Sequence, residues 1–148
     1  LSRLMDGKTD VGATLNGAIA GLVSITAEPL TPAIGEAIII GGIGGIICMF
    51  GMKLLDKLKI DDVVGAIPAH LFAGIWGTLI VPFTNPDTSY GIQIIGIIAF
   101  GVFTVVGSTI VWMLLKSTVG IRATVEDEEY GLDYNESGQV GLEYVSKK

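Results

Sequence analysis

In this 148-residue chain half of the residues are hydrophobic and 16% are charged, with a net charge of −6 and a mean hydropathy of +0.65. That balance excludes an ordinary soluble domain of this size, and its negative sign excludes a nucleic-acid binder. A single histidine and a single cysteine are too few for a metal site or an internal disulfide, and no nucleophile has a base nearby in sequence; the chain implies no metal, no cofactor and no enzyme.

The chain opens on LSRLMDGK, without methionine and without a signal-peptide pattern, so its beginning reads as cut. Apolar runs then predict an all-α integral membrane protein with four spanning helices at about 10–28, 33–53, 62–83 and 91–116, followed by a tail over 121–148. Glu36 falls near the start of the second span, not in its middle. Four crossings place all nine Lys and Arg residues on one face of the membrane, the positive-inside pattern, with both chain ends cytoplasmic. Cys48, inside the second run, reads as a small buried hydrophobe.

Glycines recur at four-residue spacing, Gly17 and Gly21 in GAIAG and Gly41 and Gly45 in GGIGG, with Ala69 and Ala73 beside the histidine. Between membrane helices this spacing predicts close backbone packing. GGIGG is not a phosphate-binding loop, because Ile47 stands where a third glycine is required.

The third span, GAIPAHLFAGIWGT, holds His70. An ionisable group at that depth costs a few kcal/mol and marks a functional site, the alternative being an imidazole satisfied by a carbonyl between packed helices. Pro68 removes a backbone donor and so frees a carbonyl near His70, predicting a kink that splays the helix and aims the imidazole at a cavity. Asp61 and Asp62 cap the amino end of this span, where Lys57 and Lys59 are placed to pair with them. After the last span EDEE at 126–129, then Asp133, Glu136 and Glu143, make an acidic, solvated tail.

GKTDVGATLNGAIAGLVSIT at 7–26, LDKLKIDDVVGAIPAHLFAGIWGTL at 55–79 and STVGIR followed by EDEEYGLD together resemble the carboxyl-terminal part of ammonium transporters of the Amt/Mep/Rh group. The resemblance implies helices 8–11 of an eleven-helix subunit built on an inverted repeat, assembled as a homotrimer in the inner or plasma membrane, with one narrow pore for ammonium or ammonia through each subunit. It implies that His70 is the second of two pore histidines and that Asp62 and Pro68 are structural neighbours of the pore. It also implies that Gly131, Leu132 and Asp133 belong to a regulatory tail. Gly65 departs from the family, which often carries an aspartate there. Two other readings stay open: an ammonium sensor that binds a PII-type signalling protein, and a piece of some other secondary transporter.

Overall fold

Asp10 closes the polar amino-terminal stretch by capping the helix that follows, its carboxylate accepting from the Ala13 amide at 2.9 Å. A computed structural model describes residues 1–130 and 132. The described residues hold helices and no strand: α1 (Ser2–Asp6), α2 (Val11–Ile25), α3 (Ile34–Leu58), a π-helical segment (Ile67–Phe72) running into α4 (Ala73–Thr84), α5 (Tyr90–Thr118) and α6 (Val125–Tyr130). The fold is all-α. Three stretches are long and apolar enough to cross a membrane, Ile34–Leu58, Ile67–Thr84 and Tyr90–Thr118, whereas Val11–Ile25 is shorter. At 15 residues α2 measures about 22 Å, against about 30 Å of bilayer hydrocarbon.

Glu36 sits in the first turn of α3, where its carboxylate accepts from the Ala33 amide at 2.8 Å. A carboxylate beside an apolar run is therefore spent on an otherwise orphaned helix-start donor. At its other end α3 continues as KLLDKL, and Lys53 there pairs with Asp6 of α1.

The chain divides into two compact units, Leu1–Val102 and the part from Phe103 onward. In the first, small residues bring backbones together. A methyl added to Gly21 would lie 3.3 Å from the Gly41 carbonyl oxygen, one on Gly41 would lie 3.3 Å from that of Gly21, and one on Gly45 3.3 Å from that of Gly17. Gly51 receives Pro68 and Phe72, since a methyl there would stand 2.9 Å from Pro68 Cβ and 2.7 Å from Phe72 Cδ2. The core is correspondingly small: Ala20, Cys48, Ala69 and Ala73 are fully buried, with Val23 and Met52 packed on them. Large apolar side chains such as Leu22, Ile38, Ile39, Leu54 and Phe83 face outward. That inversion suits an apolar surrounding, where helix contacts gain from close packing and not from hiding side chains from water.

Asn85 bridges to Glu28, its amide donating to Oε2 at 3.1 Å. In the second unit, the last turn of α5 ends where the Val119 and Gly120 amides both donate to the Leu115 carbonyl at 3.0 Å. Gly120 takes φ +82° there, a left-handed conformation natural to glycine.

Candidate functional site

The approach to His70 can be followed one backbone group at a time. A turn closes with the Gly65 amide donating to the Asp62 carbonyl at 3.1 Å. The Asp62 carboxylate then takes two of the helix-start donors, the Ala66 amide on Oδ1 and the Ile67 amide on Oδ2, each at 2.9 Å. Position 68 is proline and has no donor, and the Ala69 amide bonds the Gly65 carbonyl at 3.2 Å. No amide of this first turn is left without an acceptor. Among the described residues neither Lys57 nor Lys59 pairs with Asp61 or Asp62; Asp62 is engaged with the backbone instead.

Pro68 behaves differently from the mid-span kink that the sequence predicts. It stands in the opening turn, where a missing N–H is tolerated because that donor has no intrahelical partner. Ahead of the helix, in the turn that leads into it, stands the Val64 carbonyl. That oxygen is not idle: Asn16, on α2 and 48 residues away, donates to it from Nδ2 at 2.8 Å. Gly65 at φ +71° fits the same corner, since a methyl on it would come within 2.6 Å of Asn16 Nδ2. Asn16 was not singled out in the sequence, although a lone amide inside an apolar run, ATLNGAIAG, is a polar signal of the same kind as His70.

Beyond Pro68 the helix widens. The Ala73 amide donates to the Pro68 carbonyl, five residues back, as well as to that of His70. Such i→i+5 turns are rare and are frequently found at functional sites. Ala69 and Ala73 face the core, fully buried, while His70 and Leu71 are exposed on the other side. Among the described residues the His70 imidazole forms no hydrogen bond. The packed side is fixed by polar contacts to backbone. Ser24 Oγ donates to the Ala20 carbonyl at 2.7 Å and lies 3.4 Å from that of Ala73, and Trp76 Nε1 donates to the Ile40 carbonyl at 3.1 Å.

His70, Pro68 and Asp62 thus share one stretch of backbone, with Asn16 joined to it from α2. Among the described residues no group of His, Cys, Asp and Glu is arranged to hold a metal ion. Leu132 is exposed, and Gly131 and Asp133 lie outside the described residues. What the site offers is an imidazole, a side chain able to donate and accept hydrogen bonds, on an uncharged helix.

The model of the Ammonium Transporter Family matches residues 1–142. The chain belongs to that family. It is similar to ammonium transporter Amt2 of Archaeoglobus fulgidus, 39% identical over 93% of this chain and 34% of the relative. A Synechocystis sp. protein, provisionally named an ammonium transporter, is 37% identical over 89% of this chain and 30% of its own length. Amt1 of Haloferax mediterranei is 32% identical over 89% and 27% respectively. The chain spans about a third of the length of the curated relatives it matches. Those relatives carry the names of transporters, not enzymes.

Proposed function

We propose that this chain forms part of an ammonium-conducting pore and that His70 lines it. The observation that carries this reading is an exposed imidazole with no hydrogen bond among the described residues, set on a π-helical turn of an apolar helix long enough to cross a membrane. Membership of the family supports it, as do the names of the relatives.

The chemistry follows from hydration. Moving ammonium intact through a dry apolar passage costs many kcal/mol, whereas neutral ammonia crosses at little cost. An imidazole can donate to or accept from ammonia, and with an unperturbed pKa of about 6.5 it can pass a proton near neutrality. His70 then holds the deprotonated substrate or relays its proton, together with pore residues from parts of the transporter outside this chain. Potassium has no proton to give up and is rejected. In this reading the working unit is a homotrimer in the cell membrane, with both ends of this chain in the cytoplasm, as the one-sided placement of Lys and Arg suggests.

The test is uptake of labelled methylammonium by the complete transporter carrying His70→Ala, normalised to folded protein. A rate reduced by about tenfold or more, or lost discrimination against potassium, supports the reading. Unchanged rate and selectivity would sink it.

A further inference from the structure

Because His70 has no side-chain partner among the described residues, the direction of its imidazole depends on the backbone that carries it. Asp62 and Gly65 hold that backbone from within its own loop. Among the described residues Asn16 reaches it from another helix by a side-chain hydrogen bond to the turn that leads into it. The Val64 carbonyl lies in that turn, ahead of the helix, and Asn16 supplies its donor at 2.8 Å. The contact is tight on its other side too, because the Asn16 amide occupies the space that a side chain at position 65 would need.

We propose that Asn16 is a positioning residue for transport: its hydrogen bond to the Val64 carbonyl fixes the entry to the π-helical turn, and through it the direction of His70. The inference rests on the pore reading. It also ties α2 to the function, so that a displacement of α2 along its axis is transmitted to the histidine turn by a hydrogen bond as well as by packing.

The experiment uses the complete transporter with Asn16→Leu, and His70→Ala as control, reading methylammonium uptake per folded trimer and selectivity over potassium. Asn16→Leu is expected to lower the saturating rate by about tenfold, the scale of a reacting group displaced by a fraction of an ångström, while KM changes little. If Asn16→Leu fails to fold, Asn16→Asp, with the same shape and the donor replaced by an acceptor, takes its place. A native rate per folded molecule, with only the yield reduced, would overturn the proposal, because it makes Asn16 merely structural. A His70→Ala control without effect overturns the pore reading and this inference together, whereas an effect at His70 with none at Asn16 overturns this inference alone.

Discussion

Gly44→Ala tests whether α2, α3 and α4 are held by backbone proximity. The added methyl would overlap the Ser24 hydroxyl and stand 2.9 Å from both Ser24 Cβ and the Ala20 carbonyl oxygen, where carbon contacts settle at about 3.5–4.0 Å. Ser24 has little room to yield. Its hydroxyl is bonded to Ala20, and on its far side a methyl at Gly77 would overlap the Ser24 carbonyl oxygen and lie 2.8 Å from Ser24 Cα. So α3 must move off α2 by roughly 0.5–1 Å, an overpacking cost of about 1–3 kcal/mol. If the hydroxyl turns away, its lost hydrogen bond adds about 1 kcal/mol. The control is Gly42→Ala, on the same helix, whose added methyl meets nothing within 4 Å; its expected change is within about 0.5 kcal/mol. Unfolding of the purified protein in mixed detergent, followed by tryptophan fluorescence, gives both values. Equal midpoints for the two variants would refute the argument.

Asp62→Ala leaves the Ala66 and Ile67 amides without their acceptor and is expected to lower stability by about 1–2 kcal/mol in the same assay, with Asp62→Asn, which keeps one acceptor oxygen, in between. Trp76→Phe keeps the ring and loses the donor to the Ile40 carbonyl. The expected cost is about 0.5–1.5 kcal/mol, with the emission of the remaining Trp112 unchanged.

Much of this architecture could be read from residue type and spacing. Long apolar runs declare helices, and glycine at four-residue intervals declares where two backbones meet: Gly21, Gly41 and Gly45 are all at close approach. Glu36 and Asp62 beside apolar runs make sense as helix-start acceptors. His70 stood out because charge is costly in lipid. What could not be read is any pairing set by tertiary structure. The carbonyl of a turn before a helix does not announce its donor, and here the donor, Asn16, lies on another helix. The π-helical turn was equally hidden, since an i→i+5 bond leaves no mark in residue spacing, and the contact of Pro68 and Phe72 with Gly51 of α3 exists only in the folded chain. Proline also has two behaviours that sequence alone does not separate, a kink in mid-helix or a quiet place in the first turn, and the helix start at Pro68 decides for the second.

Besides Pro68, the buried positions of the histidine helix are Ala69, Ala73, Gly77 and Val81, each four residues from the last, and α3 buries Ile40, Gly44 and Cys48 at the same interval. Four residues turn an ideal α-helix by about 40° more than one full revolution, so a stripe with this spacing winds slowly around its axis. Helices joined along such stripes cross obliquely and part from one another toward their ends. In this segment α2 and α3 meet main chain to main chain where Gly21 faces Gly41 and Gly45 faces Gly17, while single side-chain amides tie Asn16 to Val64 and Asn85 to Glu28. Movement should accordingly pivot about the glycine contacts, with the two amide bridges as the places that give.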